Sequence, residues 1–264
     1  MTTWTREAVL AASDAWRWVP GGAETLVVDG VDVIDYPAWA LMGFYARPQV
    51  VADPGRTVAA VVKVARERGR AKVQWWVSPS TRPVDFADFL IAQGATLDVE
   101  TEVYALDLTD GIPDHGPTEG LVARLVQDEA TLDDAEHVTA AVWGGEPSSG
   151  ARRAQKLAAL ARPAAEQDGF QVVVYDAAGA PLATGGCQIV DRVARLWSAC
   201  TLPEARGRGA YRLVLERRLE VAVEHGATLA LVHASVGTSG PIVRRIGFTP
   251  YGTGRILAQP TGME

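Results

Sequence analysis

The chain has 264 residues, 48% hydrophobic and 22% charged, with 32 acidic against 25 basic residues and a net charge of −7. That composition excludes a disordered chain, and no apolar run nears the ~20 residues that cross a bilayer; the longest, Ala38 to Ala46, holds nine. Two cysteines, Cys187 and Cys200, exclude a disulfide framework or a cysteine-rich zinc site, and without a signal-peptide pattern the expectation is a soluble, reduced, cytoplasmic protein.

Thr5 to Trp18 sets Val9, Leu10, Ala15, Trp16 and Trp18 at helical spacing and predicts an amphipathic helix stopped by Pro20-Gly21-Gly22. Thr25 to Ile34 alternates around Asp29-Gly30 and predicts a hairpin. Arg56 to Arg68 is helical, with Val58, Val61, Val62 and Ala65 on one face and Gly69 as its stop. A strand at Val73 to Val77, a helix at Val84 to Ala92 and a β-rich run at Leu97 to Leu108 follow. Thr109 to Gly120 gathers glycine, proline and aspartate and reads as a linker; His115 within it is given no role.

Beyond the linker, Leu121 to Val126 predicts a strand, Glu129 to Trp143 a helix, Gly144 to Gly150 a loop and Ala151 to Ala165 a second helix. Three strands come next, Phe170–Tyr175, Leu182–Val190 and Val193–Cys200. A long helix runs from about Gly207 to His225, then a strand Leu229–His233, a short helix Pro241–Ile246, and a final hairpin or strand at Phe248–Leu257.

The charge divides unevenly. Residues 1–118 hold 10 bases and 16 acids, residues 119–264 hold 15 and 16, so the acidic excess sits in the first part. A bulk nucleic-acid binder needs the opposite balance. There is also a faint repeat. A helix ending at Gly69, a strand, Ser80-Thr81, a helix and Gln93-Gly94-Ala95 recurs as a helix ending at Gly226, a strand, Thr238-Ser239, a helix and Ile246-Gly247-Phe248. Two copies of one half-domain or two coincident αβα units both account for it.

The sharpest chemical feature is Thr201-Leu202-Pro203-Glu204-Ala205-Arg206-Gly207-Arg208-Gly209-Ala210-Tyr211, between a strand and a long helix. Gly207 and Gly209 allow tight turning and close approach of backbone to ligand. A helix beginning there offers unpaired N–H groups and a positive dipole end, suited to a pyrophosphate. Arg206, Arg208, Arg212, Arg217 and Arg218 outnumber Glu204, Glu216 and Glu220 around it. Neither the dinucleotide G-x-G-x-x-G pattern nor a P-loop is present.

Arg206 to Gly209, preceded by Pro203-Glu204 and a strand, resembles the R/Q-x-x-G-x-G/A acetyl-CoA motif of the GNAT acyltransferase superfamily. Ser239 to Phe248, ending in Gly247-Phe248, resembles that superfamily's next block, and the resemblance covers about residues 119–258. It implies an α/β fold: a mixed, mostly antiparallel sheet flanked by helices, in two related units, a degenerate one at 1–118 and a competent one at 119–264. It also implies that Val193–Thr201 and Leu229–His233 splay apart to take the pantetheine arm of acetyl-CoA or another short acyl-CoA. Ala199, Thr201, Arg206, Gly207, Arg208, Gly209, Ala210, Tyr211 and Ser239 are then expected to contact the cofactor. A backbone N–H near Thr201 would polarise the thioester carbonyl, and proximity of a neutral amine would do most of the catalysis.

Three positions depart from the motif. Tyr211 stands where a small residue is usual, Val236 where asparagine is common, and Val243 where a tyrosine commonly serves as general acid. The tyrosine ring could still point away from the loop. Substitutes are Cys200, either a proton donor or a small buried hydrophobe, and His233, either a base or a backbone-bonded core histidine. Trp143 and Glu146 either border the acceptor site or serve packing and solvation. Arg244 and Arg245 meet phosphates or solvent.

In the first half the matching segment, Val51 to Thr57, has one glycine and adds Asp53 and Pro54. Pro54 removes a donor and Asp53 repels phosphate, so this half is expected not to bind CoA and to cover or shape the acceptor pocket instead. Trp75 and Trp76 read as core. The resulting expectation is an N-acetyltransferase acting on a small-molecule amine in a ternary complex, with no metal, nucleic acid or membrane partner, as a monomer or homodimer. The acidic first half favours a cationic acceptor or serves solubility alone. The competing expectation is a non-catalytic acyl-CoA-binding or sensor protein that has lost the acid.

Overall fold

The computed structural model describes residues 4–40, 42–114, 116, 118–162, 167 and 169–262. In chain order the elements are α1 (Arg6–Asp14), β1 (Glu24–Val28), β2 (Val31–Asp35), β3 (Phe44–Arg47), α2 (Pro54–Glu67), β4 (Lys72–Val77), α3 (Phe86–Ala92) and β5 (Thr96–Asp107). After the linker come β6 (Leu121–Leu125), α4 (Glu129–Trp143), α5 (Gly150–Leu160), β7 (Gly169–Asp176), β8 (Pro181–Val190) and β9 (Val193–Thr201). The chain ends with α6 (Ala210–Glu224), β10 (Leu229–Ser235), α7 (Ser239–Arg245) and β11 (Thr249–Pro260). His115 and the expected end of the second helix at 163–165 lie outside the described residues.

Two compact units interleave along this sequence. The first takes Thr5–Tyr104, Ala234–Pro241 and the chain from Pro250; the second takes Ala105–His233 and Ile242–Thr249, with Trp4.

In the first unit the strand order is β1-β2-β3-β4-β11. The β1–β2 hairpin turns at Asp29 (φ 48°) and Gly30 (φ 80°), the two left-handed residues a type I′ turn requires. β3 and β4 pair in parallel from Phe44–Val73 to Ala46–Trp75. β11, from the far end of the chain, pairs antiparallel with β4 from Arg255–Val77 to Pro260–Lys72. Trp75, Phe86, Leu90, Phe44, Val61 and Leu257 form the core under α2 and α3.

Two elements depart from the sequence expectation. α1 ends at Asp14, short of Trp16 and Trp18. The buried Arg47 guanidinium donates to the carbonyls of Trp16 (2.5 Å) and Asp14 (2.8 Å), and Trp18 leaves the helix to stack on Tyr36. β3 lies inside the apolar run that had no assigned element; all four of its residues are buried, so no alternation marks it.

In the second unit the order is β10-β9-β8-β7-β6. β6 to β9 are antiparallel neighbours, and only β9–β10 is parallel. The sheets are thus mixed and mostly antiparallel, as expected. α4 starts with a capping box between Asp128 and Thr131 and buries Leu132, Ala135 and Val138. Val214, Leu215 and Leu219 bury one face of α6. Antiparallel pair, strand, helix and parallel strand recur in both units, as β1-β2-β3-α2-β4 and β7-β8-β9-α6-β10. Among the described residues no helix is long and apolar enough to cross a membrane.

Candidate functional site

β9 is paired with β8 along its length and with β10 along only part of it. It pairs with β10 over three rungs only, Val193–Leu229 to Arg195–Leu231. Beyond them the ladder does not join Leu196–Thr201 to Val232–His233, which leaves backbone donors and acceptors facing a wedge between the two strands. A bulge lies within the open stretch. Thr184 faces Cys200 and Gly186 faces Trp197, so Gly185 alone opposes Ser198 and Ala199. Ser198 takes a φ of 48°, rare for a residue other than glycine, asparagine or aspartate. Gly185 admits no side chain: a Cβ would lie 2.8 Å from Val214 and 3.1 Å from Ala199 and from the Arg218 guanidinium carbon.

The end of β9 leads into the glycine-rich loop. A 3₁₀ turn at Pro203–Ala205 fixes its base, with Leu202 and Ala205 buried against Val138, Ala210 and Val214. Gly207 (φ 77°) and Gly209 (φ 86°) then turn the backbone into α6. Gly209 occupies the N-cap and no side chain caps the helix, so its first amides remain available to a ligand. Thr118 comes so close that a Cβ on Gly209 would sit 2.8 Å from its methyl group. Arg206 and Arg208 are exposed, and among the described residues neither has an acidic partner. The Tyr211 side chain is half-buried and its hydroxyl lies within electrostatic reach of Arg218, two turns along the helix.

Ala199 sits in the bulge, half-buried, and Thr201 closes the strand with a buried hydroxyl oxygen that has no hydrogen-bond partner among the described residues. These features fit a pyrophosphate at the helix start and an extended arm in the wedge. His233 is half-buried two residues past the last β9–β10 rung, on the splayed segment. Cys200 faces the other way. Its thiol lies 3.9 Å from the Val138 carbonyl in the apolar cluster beneath the loop, and burial pushes it up to about 11 against a hydrogen bond with Thr139. Ser239 belongs to the first unit, where its hydroxyl accepts the Ser235 amide at 3.0 Å. Val243 is fully buried.

Trp143 ends α4 at 44% exposure, and Glu146 is exposed in the loop after it. That loop is held by Glu136, whose carboxylate accepts the Ser148 amide (2.8 Å), the Ser148 hydroxyl (2.5 Å) and the Lys156 ammonium (2.5 Å). Burial pushes the Glu136 carboxyl up, but the bonds from Lys156 and Ser148 outweigh it and hold the group below its ordinary range. Trp197 was not anticipated. It is 40% exposed and lies flat on Gly186, where a Cβ would be 2.3 Å from the indole. The Gly185-Gly186 pair in mid-strand was its signal. Among the described residues no three His, Cys, Asp or Glu side chains group to hold a metal.

By sequence the chain matches no family model and no curated protein. Its structure is similar to a GCN5-related N-acetyltransferase from Kribbella flavida, with a TM-score of 0.68 and 23% identity over 90% of each chain. A GCN5-related N-acetyltransferase from Sphaerobacter thermophilus gives 0.68 and 17%, covering 88% of this chain and 76% of that one. A tandem GNAT protein from the clavulanic acid biosynthesis pathway, in a structure without AcCoA, gives 0.61 and 17%, covering 97% of this chain and 88% of that one. With its partly paired parallel strands, bulged β9 and glycine-led α6, this chain has the fold of the GCN5-related N-acetyltransferases.

Proposed function

We propose that the protein is an acetyl-CoA-dependent N-acetyltransferase for a small-molecule amine. The observation that carries this reading is the wedge between β9 and β10 opening beside a glycine-led α6, with Arg206 and Arg208 unpaired among the described residues. When bound, acetyl-CoA supplies an activated acyl thioester. Backbone amides of Arg206 to Tyr211 hold its phosphates, with Arg206 and Arg208 adding charge. The edge of β9 from Ala199 to Thr201 would receive the arm, and an amide there would polarise the acyl carbonyl. His233, on the opposite strand, takes the proton from the attacking amine. The departing thiolate would take its proton from solvent, since Val243 offers none and the Cys200 thiol is buried in the apolar cluster under the loop. Trp143 and Glu146 border the acceptor, and Trp197 joins them on β9.

The halves 1–118 and 119–264 are then a degenerate and a competent copy, with the last strand of the second built into the first unit. In the first half Asp53 caps α2 by accepting the Arg56 amide at 3.0 Å, and Pro54 fills its first turn. A phosphate has no place there. The test is release of CoA from acetyl-CoA with a panel of primary amines. A second reading, a binder without turnover, is favoured by the buried Val243; it predicts saturable CoA binding and no acylation of any amine.

A further inference from the structure

Arg218 of α6 is 1% exposed, and among the described residues no carboxylate pairs with it. Its hydrogen bonds go to neutral oxygens, Nη1 to the Gly186 carbonyl (3.0 Å) and Nε to the Val214 carbonyl in α6 (3.3 Å), and its charge lies beside the Tyr211 hydroxyl. A buried charge without a counter-ion opposes folding, and an apolar side chain of similar volume would fill the same space. Stability therefore gives no reason for arginine at this position.

The geometry gives one. Gly186 flanks the register shift that makes the β9 bulge. Tyr211 stands in the first turn of α6, beside the amides that face a phosphate. Gly185 leaves the gap in which the guanidinium lies, since its Cβ would fall 3.1 Å from the guanidinium carbon. One rigid, planar group thus bridges the bulge and the helix start. We propose that Arg218 is a positioning residue that fixes the amides of the β9 bulge relative to the first turn of α6, so that a cofactor held by its phosphates presents its acyl carbonyl in register. This inference rests on the acetyltransferase reading above.

Such a clamp acts on turnover more than on binding. Phosphates are held by a loop anchored independently through Leu202 and Ala205, whereas an amide aimed at a developing oxyanion matters most in the transition state. The test is steady-state kinetics of Arg218→Met, at saturating amine and well below the melting temperature. A misplacement of this kind lowers kcat about 100-fold, while KM for acetyl-CoA moves less than about threefold. Arg218→Lys keeps the charge but not the fork and recovers little of kcat. Arg218→Gln keeps a donor for the Gly186 carbonyl but not the planar fork; it gives the same split and serves where Arg218→Met does not fold. Folded variants with unchanged kcat, or with losses confined to KM or melting temperature, overturn the positioning role alone. A wild-type protein that acylates no amine overturns the acetyltransferase reading, and this role with it.

Discussion

Asp29 accepts the hydroxyl of Thr57 at 2.6 Å, tying the β1–β2 turn to the first turn of α2. The same carboxylate pairs with Arg56 at 2.7 Å, and Asp53 caps the helix. One of the chain's own anions thus takes an amide of α2 and a second holds side chains of its first turn, whereas α6 starts from a bare glycine. One CoA should bind per chain. Calorimetric titration checks this, and a second site of similar affinity would contradict it. The Thr57 hydrogen bond, then Arg56, holds the Asp29 carboxyl below its ordinary value of 3.8 despite an opposing effect of burial. A depressed carboxyl stabilises the fold above its unfolded value, and that contribution is lost as pH falls through the lower folded one. Thr57→Val should therefore lower the melting temperature at pH 6 and have less effect below pH ~3.

Gly209 offers a sharper test of the phosphate loop. Its φ of 86° and the Thr118 methyl 2.8 Å from a would-be Cβ both exclude alanine. Gly209→Ala should weaken CoA binding by about tenfold, the equivalent of ~1.4 kcal/mol, through strain and a shifted loop. Adding Thr118→Ser removes the clashing methyl and should restore part of that loss. A double-mutant cycle measured by calorimetry reads the coupling directly.

Cys200 packs in the apolar cluster under the loop. Cys200→Ala should cost about 1 kcal/mol of unfolding free energy and leave kcat within about twofold. The native thiol should resist iodoacetamide until the chain unfolds, because both burial and its raised pKa suppress the thiolate. A tenfold fall in kcat at unchanged stability would return Cys200 to the reaction.

His233 stands on the splayed end of β10. As the base, it makes a contribution that His233→Gln should remove, lowering kcat by about 10²-fold or more. Unchanged kinetics would assign proton removal elsewhere.

Glu136 anchors the loop carrying Glu146 through Ser148 and Lys156. Its carboxyl lies below its ordinary 4.5, so its stabilisation is present above that pH and lost as pH falls through the lower folded value. Glu136→Gln should lower the melting temperature clearly at pH 6 and little at pH 3, as circular dichroism can follow.

Much of this was legible in the sequence. α4 ends where its apolar spacing does, at Trp143, and Gly207 and Gly209 mark the loop by residue type alone. What stayed hidden depends on distant partners. α1 is cut short by Arg47, 33 residues beyond Asp14. The bulge is carried by Ser198, whose side chain gives no sign of a positive φ. Arg218 reads as one more surface arginine until Gly185 and Gly186 are placed beneath it. The strand pairing of β11 with β4 has no local signature.

The central claim is that the wedge between β9 and β10 receives an acyl thioester for transfer to an amine. Its most direct test is thiol release from acetyl-CoA, followed with a thiol reagent across a panel of small primary amines and confirmed by mass spectrometry of the acylated product. The account predicts amine-dependent release with at least one acceptor, abolished or sharply reduced in Gly209→Glu. Saturable CoA binding with no acylated product from any amine would contradict it.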